Sequence, residues 1–379
     1  MAIAQTWQPM SNFPGISRDD AVAEVINDNM YYGTGFGTGF VMLNDWWQYS
    51  FSNGTWTQLI SLPAAPRQYA ASCSYENKIF IVGGILNSGL TTNEVWTFDL
   101  EKKEWSLETN FPGGGRQAPV LLCLYNQLYC GLGRNDTVYY NDWWKYDVYE
   151  HTWEQLPNLP FNARYDAEGI ETAGKAFVGL GKDTVQCYTD WWEFNPISNE
   201  WNQKNNFPGL SCTYTAGTVA GEQVIVYGGT DFANVFSDEC FAYNAASNTW
   251  SLLPVIPGLP RKGGAAVAYS DSYYYVSGID SVFYRTPEIW QLSVNTLMLN
   301  DILVYPNPTG DWICTAIQFD YNKEYLLEIY SIMNGQVSYA ATINYFKSCF
   351  FVEDLAAGFY MARLRYGDNN FYSFRFLKE

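Results

Sequence analysis

Asp20, Tyr69, Ala118, Asp166, Tyr214 and Gly263 recur at intervals of 49, 49, 48, 48 and 49 residues. Each stands two places after a second column, Arg18, Arg67, Arg116, Arg164, Cys212 and Arg261. If the chain carries these positions round one axis, two carboxyls and two phenols converge there, a set that suits a polyol, a sugar or a cationic ligand. In such a pocket Asp20 or Asp166 would act as acid or base, and Arg67, Arg116 or Arg164 would hold a substrate carboxylate. The arginines also have a plainer reading as braces within the repeat, and Asp45, Asp142 and Asp190 as loop caps. Longer loops add Arg134, Tyr139, Lys182 and Arg285 to the polar residues available.

Other chemistries find less material. The chain has one histidine, His151, and the repeat register puts it on a hairpin turn, which leaves no Ser-His-Asp set. The eight cysteines form no C-x-x-C pair, so zinc is not expected, nor any other metal or cofactor. Most of them fall in strand-like runs where a free thiol is a small hydrophobe; Cys314 and Cys349 are free to pair.

The element that must position these residues is a repeat. Trp7, Trp56, Trp105, Trp153, Trp201 and Trp250 keep a period of 48 or 49, as do Trp47, Trp96, Trp144, Trp192, Phe241 and Trp290, and Gly35, Gly84, Gly133, Gly181, Gly229 and Gly278. One unit reads as four strands: small residues over 70–75, Ile79–Val82 running into Gly83-Gly84, Glu94–Phe98 after a loop, and a last strand carrying Trp105. Four antiparallel strands per unit make a propeller blade. The tryptophans are then mostly core, because propeller sheets pack on both faces.

A glycine pair after the second strand, then a Trp, then another Trp about nine residues on, resembles the Kelch repeat. Gly33-Thr34-Gly35, Gly131-Leu132-Gly133 and Gly179-Leu180-Gly181, with Asp45-Trp46-Trp47, Asp142-Trp143-Trp144 and Asp190-Trp191-Trp192, look like the subtype of bacterial secreted proteins. The last unit lacks a fourth strand, and Gln5-Thr6-Trp7-Gln8 supplies one. The expectation is an all-β chain: a six-bladed Kelch-type β-propeller over 1–296, closed by its N-terminal strand, then a small Ig-like β-sandwich over 297–379. The resemblance points away from copper oxidases of the galactose-oxidase type, which need several histidines. It implies a binding or adhesion propeller, recognising an extracellular glycan or protein through one loop face, rather than an enzyme. The alternative is a sialic-acid mutarotase or epimerase-like Kelch enzyme that uses the carboxylates at the rim.

The C-terminal stretch repeats none of these columns. Tyr305-Pro306-Asn307-Pro308, Asn334-Gly335, Gly358-Phe359-Tyr360 and Arg375-Phe376-Leu377-Lys378 mark strands and turns of a sandwich of about seven strands. In order and spacing they closely resemble the C-terminal sorting domain of type IX secretion cargo. That implies a partner in the type IX machinery and a protein secreted from, or anchored on the outer-membrane surface of, a Gram-negative bacterium. Ala2-Ile3-Ala4 has the form of a signal-peptide cleavage site before Gln5. Asp136-Thr137-Val138, Asp183-Thr184-Val185 and Asp280-Ser281-Val282 resemble a bacterial O-glycosylation pattern on Thr137, Thr184 and Ser281.

The bulk numbers agree with this picture. Aromatics at 18% against 16% charged residues argue for an ordered chain. A net charge of −18 argues against nucleic acid as a partner. No apolar run is long enough for a transmembrane helix, and the chain is expected to be a monomer.

Overall fold

A computed structural model describes residues 6–210, 212–221 and 223–294, and beyond them 304–305, 312–315, 325–331, 337–343, 349–351, 354–366 and 370–378. The chain divides into two compact units, Met1–Ser293 and Val294–Glu379. Among the described residues no helix is long and apolar enough to cross a membrane.

Six four-stranded antiparallel sheets build the first unit. A representative sheet runs Ala71–Tyr75, Lys78–Val82, Glu94–Asp99 and Glu104–Asn110. Its first strand is made of small residues because it stands nearest the axis, where the sheets crowd. First strands neighbour one another in chain order, and Ala265–Tyr269 lies against Val22–Ile26, which closes the ring. The closing sheet takes its outer strand from the other end of the chain: Trp7–Pro9 pairs with Ile289–Ser293, with Trp7 opposite Leu292 and Pro9 opposite Trp290. The edge of Ile289–Ser293 is thereby covered, and the strand left outermost is only three residues long.

The core lies between the sheets. Trp46, Trp143 and Trp191 are fully buried. Trp143 packs edge-on against Phe194 and Trp201 of the next sheet, and Trp191 does the same against Trp250. The second tryptophan column spends its indole N–H inside the repeat: Trp47, Trp144 and Trp192 donate to Asp45, Asp142 and Asp190.

Those aspartates are not loop caps. Each accepts the fork of a fully buried arginine. Arg18 Nη1 and Nη2 reach Asp45 at 2.5 and 2.7 Å, Arg116 reaches Asp142 at 2.7 and 2.9 Å, and Arg164 reaches Asp190 at 2.5 and 3.1 Å. Arg67 makes the same brace to Glu94 at 2.6 Å. The stretch after each glycine, read from the sequence as a loop, folds back onto the arginine strand: Arg67–Gln68 pairs with Ile85–Leu86, and Arg18–Asp19 with Phe36–Gly37. The glycine column makes that approach possible. Gly35 has φ +94°, and a Cβ there would sit 2.6 Å from the carbonyl oxygen of Asp19.

In the second unit the described strands form a three-stranded sheet, with Trp312–Thr315 central, and a four-stranded sheet that ends in the long pair Gly358–Tyr366 and Asn370–Lys378. Cys314 and Cys349 are register partners across two of these strands, and their side chains lie outside the described residues. So do Ala2-Ile3-Ala4, Pro306-Asn307-Pro308 and Asn334-Gly335.

Candidate functional site

The six positions two past the arginine column share one unusual backbone. Asp20, Tyr69, Ala118, Asp166 and Tyr214 all have φ between 47° and 57°, and Gly263 has φ 61°. A left-handed conformation in five non-glycine residues costs free energy at each and persists only where the surroundings enforce it. Here hydrogen bonds between neighbouring sheets enforce it: Asp20 N–H donates to Gly263 O, Ala118 N–H to Tyr69 O, and Gly263 N–H to Tyr214 O, at 2.7, 2.7 and 3.0 Å. The result is a ring of turned residues at the mouth of the axis.

Asp20, Tyr69, Asp166 and Tyr214 line one cavity of about 190 Å³ there, together with Ala118 and Gly263. Tyr69 and Tyr214 come from opposed sheets, and their rings meet with centroids 6.0 Å apart. Gly263 makes room for Asp20, since a Cβ there would stand 2.7 Å from its Oδ1. Thr213 donates to Asp166 Oδ2 at 3.1 Å.

Both carboxyls line the cavity yet are otherwise enclosed by protein. Burial lifts the Asp166 carboxyl to about 6, against the pull of Lys182, the Thr213 hydroxyl, Arg134 and Lys262. Burial also raises Asp20 well above the usual carboxylate range, helped by the charges of Asp19 and Asp166 and opposed by the Tyr69 hydroxyl and Lys262. Burial pushes the Tyr69 and Tyr214 phenols upward as well.

Lys182 and Lys262 lie over the same ring, 4.6 and 4.5 Å from the centroid of Tyr214. Arg134 lies 4.7 Å from the Tyr165 centroid. Burial lowers Lys182, with Lys262 and Arg134 adding to the fall and Asp166 resisting it. Three cations around two carboxyls give these five groups a net positive charge even with both carboxyls ionised, on a chain whose net charge is −18.

The structure thus brings Asp20, Tyr69, Asp166 and Tyr214 together and sets Arg67, Arg116 and Arg164 apart from them. The guanidinium groups of these three are buried within the sheets and turned to Glu94, Asp142 and Asp190, so the cations that act on Asp166 are Lys182, Arg134 and Lys262. Thr137 and Thr184 are exposed on loop tips, and Ser281 is half-buried on another. His151 stands on its outer hairpin, where Nδ1 meets Glu108 Oε1 at 2.7 Å. Lys262, Tyr165 and Asp19 were not singled out by the sequence reading. All three stand one place after the arginine column, on the strand that pairs with the folded-back loop.

Below the mouth the axis continues as a second cavity of about 440 Å³, and the two share Ala21, Ala70, Glu168, Thr215 and Gly264. Glu24, Glu168 and Glu171 line it, at positions where the other sheets carry uncharged residues such as Cys73, Leu122, Thr218 and Ser74. Burial lifts Glu24 to about 7 against the hydroxyls of Ser72 and Ser74, and lifts Glu171 to about 7 with the charge of Glu24 adding to it.

Cys212 occupies the arginine position of the fifth unit, and it is joined to Cys187 by a disulfide. Cys73, Cys123, Cys130 and Cys240 are buried free thiols.

A ring of four-stranded sheets with a glycine turn in each repeat and an arginine–carboxylate brace in all but the fifth defines a Kelch-type β-propeller. The family described as the Attractin/LZTR1 β-propeller matches residues 30–286, well over half of the chain, and the chain belongs to that family. Over 95 residues it is 30% identical to the N-acetylneuraminate epimerase of Pasteurella multocida (strain Pm70), a match that covers 24% of this chain and 23% of that enzyme. A solved structure described as the structure of YjhT superposes with a TM-score of 0.65 at 15% identity, covering 74% of this chain and 95% of that one. At that identity the likeness is one of fold.

Proposed function

We propose that this protein is a six-bladed Kelch propeller that binds an acidic sugar of an extracellular glycan at the axial mouth. The observation that carries the reading is the convergence of Asp20 and Asp166 with Lys182, Lys262 and Arg134 round the Tyr69–Tyr214 pair. The cations match a carboxylate, and the carboxyls and phenols match hydroxyls. The test is calorimetric titration with N-acetylneuraminic acid and with a neutral hexose. Binding of the acid alone is expected, and a chain carrying both Asp20→Asn and Asp166→Asn should lose it. Unaltered binding by that variant rules out the mouth as the site.

A second reading is favoured by Asp166, whose carboxyl titrates at about 6, and by the stretch shared with N-acetylneuraminate epimerase. Opening a sugar ring at its anomeric carbon needs a base to take the proton of the anomeric hydroxyl and an acid to protonate the ring oxygen. Asp166 suits the first role and the more strongly raised Asp20 the second. Anomer exchange of N-acetylneuraminic acid followed by NMR should then quicken as pH rises through about 6, and Asp166→Asn should abolish that limb. A rate equal to that in buffer alone leaves binding as the whole function.

The export reading rests on the C-terminal landmarks that resemble a type IX sorting domain, read here as an Ig-like sandwich, and gains support from the Cys187–Cys212 bridge, which persists in oxidising compartments. On this reading the protein is a monomer on the surface of a Gram-negative cell, or released from it, with O-glycans on Thr137, Thr184 and Ser281. Loss of the last few residues should hold the protein in the periplasm, and the intact mass of the exported chain should exceed that of its sequence by whole sugars. Normal surface display of the truncated chain contradicts the first, and an unmodified mass the second.

A further inference from the structure

Every folded-back loop ends in an exposed apolar side chain, but their kind changes round the ring. The second, third and fourth units carry Leu90, Val138 and Val185. The fifth, sixth and first units, which are neighbours in the ring, carry Phe232, Phe283 with Tyr284, and Phe40. Phe40 is 81% exposed and Phe283 is 71% exposed, and both have left-handed backbones at φ 60° and 63°. A bulky aromatic in that conformation is strained, and neither ring is buried to offset the strain.

Hydrogen bonds hold the loop backbone that carries these rings. Phe283 N–H donates to Asp280 O at 2.9 Å, Tyr284 N–H to Asp280 Oδ1 at 2.9 Å, and Phe40 N–H to Gly37 O at 3.2 Å. Behind the tips the aromatic surface continues inward. Phe236 meets Phe283 edge-on at 6.0 Å, and Phe36 meets Phe40 at 6.1 Å.

Two cations join this wall to the mouth. Lys262 lies 4.5 Å from the Tyr214 ring and 5.3 Å from the Phe236 ring. Arg285 stands over Phe36 at 4.8 Å and donates to Asp19 Oδ1 at 2.7 Å. The wall therefore begins where the pocket ends.

We infer that the natural ligand is a glycan chain whose terminal acidic sugar enters the mouth while its next residues stack on the aromatic loops over the fifth, sixth and first units. The inference rests on the sugar-binding reading of the mouth and adds the direction in which the chain leaves. Exposed rings on hydrogen-bonded loops, set among Asp, Asn and Ser turns, give flat apolar platforms with hydrogen-bonding groups beside them. That combination fits the apolar face and hydroxyl edge of a sugar ring. It continues from a polar pocket rather than from an apolar groove, which favours a glycan over a peptide.

The test compares two probes, N-acetylneuraminic acid and the trisaccharide 3′-sialyllactose, on the full chain. The unaltered protein should bind the trisaccharide about tenfold more tightly than the free acid, the gain expected from two stacked rings. Phe40→Ala with Phe283→Ala should remove that advantage and leave the affinity for the free acid unchanged. Leu90→Ala with Val138→Ala should keep both affinities. Equal binding of the two probes by the unaltered chain, or a trisaccharide advantage that survives loss of both phenylalanines, overturns the wall and leaves its rings to a protein partner. Failure of both sugars to bind overturns the reading of the mouth, and the wall falls with it.

Discussion

Cys187 and Cys212 are bonded at the one place in the ring where the arginine column has no arginine. Elsewhere a guanidinium ties its repeat's carboxylate to the strand beside it. Here the matching carboxylate, Glu239, accepts from Leu210 N–H at 2.8 Å and Ser237 Oγ at 3.2 Å instead, and a covalent bond links the fourth and fifth units. A closed loop with a separation of 25 residues stabilises by about 3 kcal/mol in the chain-entropy account. Cys187→Ser with Cys212→Ser should lower Tm by about 6 °C in a thermal melt. Cys187→Ala with Cys212→Arg should recover part of the loss, because Glu239 stands where Glu94 and Glu288 meet their arginines. An unchanged Tm under reducing conditions contradicts the bracing role.

The brace itself is next. Arg116 is fully buried, and Asp142 takes both its terminal nitrogens and the Trp144 indole N–H. Asp142→Asn leaves a buried guanidinium without its counter-charge, at a cost of about 3–5 kcal/mol. Arg116→Lys should be nearly as harmful, since an ammonium cannot reproduce the fork that spans Asp142 and the Leu132 carbonyl. Chemical denaturation measures both, with Thr137→Ala on an exposed tip as a control that should change nothing. Midpoints that coincide with the control contradict the assignment.

The scaffold was readable because a propeller repeats its constraints. A tryptophan, a glycine and an arginine recur wherever each sheet needs a buried ring, a left-handed turn and a brace, so the period survives differences between units. The site was readable at Asp20, Tyr69, Asp166 and Tyr214, where that same period breaks. Lys262, Tyr165 and Asp19 escaped because their column looks like ordinary polar loop until the folded-back strand pairs with it. Glu24 and Glu171 escaped for another reason. They sit inside first strands read as small and apolar, and only the closed ring shows that those strands face an axial cavity. The Cys187–Cys212 bond needed the loop of one unit to reach the next, a contact that spacing along the chain does not encode.

Glu24 and Glu171 make the channel sensitive to pH. Both carboxyls are lifted to about 7 when folded, above the usual glutamate value. Raised groups of this kind add stability while protonated, below about pH 4.5, and that contribution is lost as pH climbs through about 7. Glu24→Gln with Glu171→Gln should therefore melt higher than the unaltered chain at pH 8, by on the order of 2 °C. The gap should shrink at pH 5. A constant gap across that range contradicts coupling of the two carboxyls to folding.

Trp7 tests closure of the ring. It is 5% exposed, donates its indole N–H to Pro254 O at 2.7 Å, and packs edge-on against Tyr227 and Tyr273 at 5.8 and 5.6 Å. Trp250 is its counterpart in the preceding unit, half-buried and bonded to Asn205 O at 2.9 Å. Replacing either by alanine removes a large packed ring, at about 3–5 kcal/mol. The consequences should then diverge. Trp250 lies on a strand continuous with the rest of its own hairpin, so its loss lowers stability and leaves the sheet whole. Trp7 anchors a three-residue strand, Trp7–Pro9, whose release exposes the backbone edge of Ile289–Ser293. An exposed edge pairs with other chains. Trp7→Ala should therefore give concentration-dependent self-association in sedimentation velocity, while Trp250→Ala should sediment as the unaltered chain does, with a lower Tm. If both variants sediment alike, the N-terminal strand adds only its packing, and closure of the ring does not depend on it.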